Sequence, residues 1–303
     1  GGSYPPFTAL TFAWGYQAGF ADATQAVILP FLAFATWIFG FARRFMGAAG
    51  ASGLLLLCLL SGDFYGYLQL PLTNLPMAAF AGMGFLYLFV GLRGGRVPEL
   101  RLSMIAVALC LWTRSDAIAF AMACALVVGI AARRPIPIRL RVAYGLPALI
   151  VLLGWQLYAD QSLGGTGLSR FSTQPIWDPE RLRLLAQLSG KLVTNVTTMG
   201  LAPWAFLVAL ASAVIGREQK LVPVAGALLL GLVGYAALFY QLDPIRQDPL
   251  ESLLTSSFRR GLTLFVLPMW FLALVSPAGR LLRRIAAGFF ARQASSDSHF
   301  ETS

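Results

Sequence analysis

Leu111-Trp112-Thr113-Arg114-Ser115-Asp116-Ala117 stands between two apolar runs, 102–113 and 117–132. Read as one helix, 102–132 would hold Arg114 and Asp116 in the middle of an apolar span, where ionised side chains are strongly disfavoured. Read as two helices meeting at the pair, the charges come to the edge of the apolar layer. The second reading sets the pattern for the chain: apolar helices that turn at charged or polar junctions. Further runs lie at 23–42, 48–62, 75–92, 141–158, 198–216, 221–240 and 261–276, which gives about nine spans. The runs 48–62, 102–113 and 117–132 are shorter than the ~20 residues of a straight crossing and must gain length from their flanks.

Composition agrees. Of 303 residues, 57% are hydrophobic and only 12% charged, and the mean hydropathy is +0.70. A soluble globule is about one-quarter charged, so this chain cannot cover a water-exposed surface. The 30 glycines and 17 prolines are compatible with spans whose neighbours re-satisfy the freed backbone groups. The expected fold is an all-α polytopic transmembrane bundle forming a single domain over 1–292. It comprises an outer or interfacial segment at 1–22, a long outer loop at 159–197 and a cytoplasmic amphipathic helix at 279–292. Residues 293–303 are expected to form a disordered tail.

Several chemistries are excluded. The only histidine, His299, lies in the polar tail, which argues against a histidine triad or a His-ligated metal. Cys58, Cys110 and Cys124 all fall in apolar runs without a CxxC spacing and read as packing residues. Lys191, in Ser189-Gly190-Lys191-Leu192, lacks the upstream glycine and following Ser/Thr of a phosphate-binding loop.

Basic residues alternate between loops. Fifteen of 23, including Arg43, Arg96, Arg133, Lys220 and Arg283, fall on one side, which places that side in the cytoplasm. Nine of the 13 acids fall on the other. The net charge of +10 therefore reads as an orientation signal, not as a nucleic-acid footprint. The outer loops are longer and mixed in charge, so chemistry is expected there. Within the long one, an amphipathic helix is expected near 179–190. Leu281, Leu282, Ile285 and Phe289 oppose Arg280, Arg283, Arg284 and Arg292, a pattern suited to an anionic inner leaflet.

Four motifs follow in order: Tyr4-Pro5-Pro6-Phe7-Thr8, Leu72-Thr73-Asn74-Leu75-Pro76-Met77, Thr113-Arg114-Ser115-Asp116, and Ser257-Phe258-Arg259-Arg260 before a span containing Pro268. This order resembles the GT-C glycosyltransferases, in particular the branch of protein O-mannosyltransferases and lipid A aminoarabinose transferases. The resemblance covers nearly the whole chain. It implies transfer of a sugar from a polyprenyl-phosphate donor to an envelope lipid, glycan or protein acceptor, on the outer face of a bacterial inner membrane. It also implies an acidic general base, and either arginine or a divalent cation (magnesium or manganese) at the leaving phosphate. The sequence departs from the family at three points. The family's main acid lies in a stretch well before Tyr-Pro-Pro, and the resemblance places it upstream of Gly1, outside these 303 residues. Asn74 stands where many relatives have Asp, and Arg260 stands where Tyr is usual. Residues 1–303 alone are accordingly expected to turn over poorly. A lipid transporter or flippase, and a non-catalytic relative, are the rival readings. The lack of inverted repeats and of mid-span charges favours the enzyme.

Each candidate carries two readings. Asp63, in Gly62-Asp63-Phe64-Tyr65, is a helix-end residue or a catalytic acid beside the sugar. Asp116 is an ion-pair partner of Arg114 or a second acid. Asn74 caps the helix at Leu75 or bonds a sugar hydroxyl. Arg114 is the other half of the ion pair with Asp116 or contacts the donor phosphate, and Arg259 and Arg260 bind lipid headgroups or the donor phosphate, for which the guanidinium fork is suited. Tyr4, Pro5 and Pro6 shape an interfacial helix or wall the pocket. Asp178-Pro179-Glu180 reads as an exposed loop turn in preference to a metal ligand pair.

Overall fold

The computed structural model describes residues 23–64, 66, 74–131, 136–162, 177–218, 220–241 and 250–300, together with residues 13, 16, 17 and 19. Among the described residues the structure is helical throughout, with no strand. Among the described residues four helical stretches are long and apolar enough to cross a membrane by length and composition: Pro30–Leu59, which a break at Gly47 divides, Asn74–Gly94, Ile138–Tyr158 and Val222–Tyr240. Leu250–Gly261 and Thr263–Val275, bent by 49°, make a fifth if taken as one span, and Ser115–Ala131 and Ala202–Ile215 are shorter apolar helices. Leu207, Val208, Leu229, Leu230 and Val233 face outward, while Phe206, Ala209, Leu228 and Ala227 on the same helices are buried. Helices apolar on every side are buried in protein on one face and in lipid on the other, so the bundle is membrane-embedded.

Helix α1 (Ala23–Leu59) is broken at Gly47, which takes φ 72° and ψ 177°. That backbone conformation is strained for any residue with a Cβ and explains a glycine there. The two halves run in opposite senses beside α12 (Thr263–Val275). Phe34 lies by Leu267 and Phe45 by Phe271 on the way down. On the way back Gly50 meets Arg283, Ser61 accepts from Trp270 Nε1 at 2.7 Å, and Asp63 pairs with Arg259. The expected turn between runs 23–42 and 48–62 is this break.

Helices α2 (Asn74–Gly94) and α3 (Val97–Thr113) form the tightest hairpin. Gly84 and Gly91 leave room for Val107 and Leu100 to lie against the opposing backbone, as small residues allow in membrane bundles. Ser103 donates to the Gly84 carbonyl at 2.6 Å and shares a hydrogen bond with the buried Tyr144 hydroxyl. After α3 comes a 3₁₀ turn, Ser115–Ala117, then α4 (Ile118–Ala131). The run 102–132 is thus two helices meeting at Arg114 and Asp116.

The chain continues through α5 (Ile138–Ala143), α6 (Leu146–Ser162), α7 (Pro179–Thr194) and the single turn α8 (Val196–Met199). It then passes through α9 (Ala202–Ile215), α10 (Val222–Tyr240), α11 (Leu250–Gly261, with a π turn at Leu254–Phe258), α12 and α13 (Pro277–Phe300). Helix α7 is the amphipathic helix expected in the long loop. Pro179 sits at its first turn and Asp178 caps it, accepting from the Glu180 and Arg181 amides at 3.0 and 3.2 Å. Helix α13 continues past residue 292 to Phe300, through residues that composition alone assigns to a tail.

Among the described residues, two groups of charges lie at opposite ends of the bundle. One end gathers Asp63, Asn74, Arg114, Asp116, Asp178 and Arg259. The other gathers Glu218, Arg280 and Arg283, with the α1 break. Arg133, assigned to this second end from the sequence, lies outside the described residues.

Candidate functional site

The site lies at the first of these ends, and α3 builds its floor. The helix stops at Thr113, whose hydroxyl donates to the Cys110 carbonyl at 2.6 Å, and the Arg114 amide bonds the same carbonyl at 3.2 Å. Arg114 then turns extended (φ −153°, ψ 125°), which folds its side chain back over the 3₁₀ turn. Residues two apart on a helix do not face each other, but across this turn they do. Arg114 Nε donates to Asp116 Oδ1 at 3.0 Å and Nη2 to Oδ2, a bidentate pair. The Arg114 side chain is only 2% exposed, so this carboxylate is what makes the buried cation tolerable.

Two neighbours complete this group. Tyr235 of α10 donates its hydroxyl to Asp116 Oδ2 at 3.0 Å. Asn74, at the first residue of α2, accepts from Arg114 Nη1 at 3.4 Å through Oδ1. Turning the amide over would set its NH₂ against the guanidinium, which has no acceptor. The Asn74 oxygen therefore faces Arg114, and its Nδ2 is left buried without a hydrogen-bond partner. An orphaned buried donor is costly and marks a place where a ligand acceptor or a water belongs.

The second group is Arg259 with Asp63. The π turn Leu254–Phe258 precedes Arg259, a local irregularity common at functional sites. It presents the guanidinium to Asp63, with Nη2 donating to Oδ1 at 2.8 Å and Nε to Oδ2. This pair is more open than the first, with Arg259 35% and Asp63 18% exposed. Arg260 folds back on its own turn and donates to the Ser256 carbonyl at 3.3 Å.

The two groups adjoin at Gly261. A Cβ there would overlap the Tyr235 hydroxyl, so glycine is what lets the helix after Arg259 pass over the tyrosine that holds Asp116. Phe258 stacks on Tyr235 at 5.3 Å and meets Phe239 edge-on, closing an aromatic wall on that side.

Of the residues singled out in the sequence, Asp63, Asn74, Arg114, Asp116 and Arg259 therefore come together. Arg260 is adjacent but turned to its own helix. Gly1, Tyr4, Pro5 and Pro6 lie outside the described residues. Asp63 and Asp116 are the carboxylates that the described part of the site presents. Tyr235 was not legible as part of the site, since a tyrosine near the end of an apolar helix reads as an interfacial residue. Its one signal is the glycine at 261, which means nothing until α10 and α11 are seen to touch. Asp178 is a helix cap, and its amide bonds the Tyr240 hydroxyl at 3.0 Å. Arg181 lies over the Tyr240 ring and donates to its carbonyl at 3.1 Å, which ties α7 to the same end of the bundle.

Among the described residues, no group of three or more His, Cys, Asp or Glu side chains converges. The two carboxylates of the described part of the site are each gripped by an arginine. Comparison with family models, with curated proteins and with solved structures finds no match.

Proposed function

We propose that the protein is a glycosyltransferase of the GT-C type, with about nine spans. It takes a sugar from a polyprenyl-phosphate donor and passes it to an envelope lipid, glycan or protein acceptor at the outer face of a bacterial inner membrane. The observation that carries the reading is the bidentate Arg259–Asp63 pair. It joins residues 196 positions apart at the end of the bundle that also holds Asn74, Arg114 and Asp116.

The arrangement supports the following roles. Arginine matches phosphate oxygens through two parallel N–H donors, and Arg259 is the more exposed of the two paired arginines. A donor phosphate arriving there competes with Asp63 for one guanidinium fork. As Arg259 turns to the phosphate, the Asp63 carboxylate is released to accept a proton. The acceptor hydroxyl oxygen then attacks the anomeric carbon, and the bond from that carbon to the phosphate oxygen breaks. The hydroxyl proton passes to Asp63, and the negative charge on the departing polyprenyl phosphate is held by Arg259. Asn74 Nδ2 supplies a donor for a sugar or phosphate oxygen. Asp116, gripped by Arg114 and Tyr235, anchors the floor of the site and does not carry the proton.

The test is donor affinity in detergent, with polyprenyl-phosphate sugar as ligand. Arg259→Ala weakens binding by about 10–150-fold, the range of a charge-assisted contact, and Arg259→Lys recovers part of it. Asp63→Asn strengthens donor binding, because it removes the charge that competes for the Arg259 fork. Unchanged affinity in correctly inserted Arg259→Ala overturns the reading.

A further inference from the structure

The opposite end of the bundle holds a second, unrelated group of charges. Helix α13 leaves α12 through Ser276, which caps it by accepting from the Gly279 amide at 3.2 Å, with Pro277 at the first turn. Arg280 is fixed in this first turn. It pairs with Glu218, at the turn after α9, and donates to the Val275 carbonyl at 3.1 Å. One turn later Arg283 lies against the start of the second half of α1. Its Cδ would lie 3.5 Å from a Cβ at Gly50, an ordinary van der Waals contact.

Arg283 differs from Arg280 in having no counter-charge. Its Nε is buried without a hydrogen-bond partner, and among the described residues no carboxylate pairs with it. Burial, and then the charge of Arg280, push its guanidinium below the usual arginine range. Glu218 balances only one of the two cations. Two neighbouring arginines with one carboxylate to balance them, and an orphan donor, fit an anion with several oxygens. On the same helix Leu281, Leu282 and Ile285 are exposed, an apolar fringe suited to the boundary between headgroups and acyl chains. That fringe selects the source of the anion.

We propose that Arg283, with Arg280 beside it, binds the phosphate of one anionic phospholipid where α13 meets the turn of α1. The site is specific, unlike a diffuse attraction of the basic end for an anionic leaflet, and it does not depend on the function proposed above.

The experiment is native mass spectrometry of the protein released from bilayers of mixed phosphatidylcholine and phosphatidylglycerol. The wild type is expected to retain a single phosphatidylglycerol in preference to phosphatidylcholine. Arg283→Gln lowers that retention by about tenfold or more, the loss of one charge-assisted contact. Arg284→Gln, which removes an exposed arginine one residue away, changes retention less than about twofold, since exposed charges act weakly. In pure phosphatidylcholine, Arg283→Gln unfolds no more readily than wild type, because it removes a buried donor that has no partner. Equal losses in the two variants would reduce the site to diffuse attraction and overturn the proposal. So would retention without preference for the anionic lipid, or full displacement of the lipid by millimolar inorganic phosphate.

Discussion

Asp116→Asn keeps the shape of the side chain and withdraws the charge that faces Arg114. The guanidinium is 2% exposed and the carboxylate 16%, so the cation cannot turn to water when its counter-charge is lost. Removing one partner of such a pair costs about 3–5 kcal/mol. Asn74 still accepts from Arg114, which sets the expectation at the lower bound, about 3 kcal/mol. Arg114→Met costs less, roughly 1–3 kcal/mol, because Asp116 keeps the Tyr235 hydroxyl and some access to water. The double variant Arg114→Met/Asp116→Leu removes both charges. It should be more stable than Asp116→Asn, as apolar replacement of a whole buried pair is often neutral. Equilibrium unfolding in mixed micelles, titrated with a denaturing detergent, measures all three. If Asp116→Asn costs below about 1 kcal/mol, the pair is not a buried anchor. A coupling energy under about 0.5 kcal/mol in the cycle would lead to the same conclusion.

Gly261→Ala drives a methyl into the Tyr235 hydroxyl and should destabilise by about 1–3 kcal/mol in the same unfolding assay. Asn74→Leu removes the orphan donor and also the acceptor that faces the Arg114 guanidinium; it should destabilise by about 1.5–3 kcal/mol and weaken donor binding measured by titration. Single cysteines replacing Arg43, Arg96, Arg133, Lys220 or Arg283 should be labelled only from the cytoplasmic side by an impermeant thiol reagent, and outside labelling at any two of them would contradict the orientation.

The turning points of the fold were legible because an apolar layer cannot hold charges. Arg43-Arg44 beside the Gly47 break and Arg114–Asp116 between α3 and α4 are where the helices end. Helix α7 was legible as an amphipathic stretch, but Asp178, which read as part of a loop turn, is its cap. Partnership was not legible. Asp63 and Arg259 each stood out as polar residues beside a span, but nothing local links residues so far apart, and only the reversal of α1 beside α12 brings them together. The role of Tyr235 stayed hidden for the same reason. Arg283 read as one charge in a basic amphipathic face, and only the fold sets it beside Gly50, 233 positions earlier.

The central claim is that a polyprenyl-phosphate sugar binds at the end of the bundle that carries the two arginine–carboxylate pairs. A donor analogue with a photoreactive group next to its phosphate, cross-linked in membranes and mapped by peptide mass spectrometry, tests it directly. The account predicts adducts within residues 61–64, 113–118 and 254–261, suppressed by excess unlabelled donor and by Arg259→Ala. Adducts confined to the opposite end, around residues 216–220 and 277–285, or labelling that excess donor leaves unchanged, would contradict it.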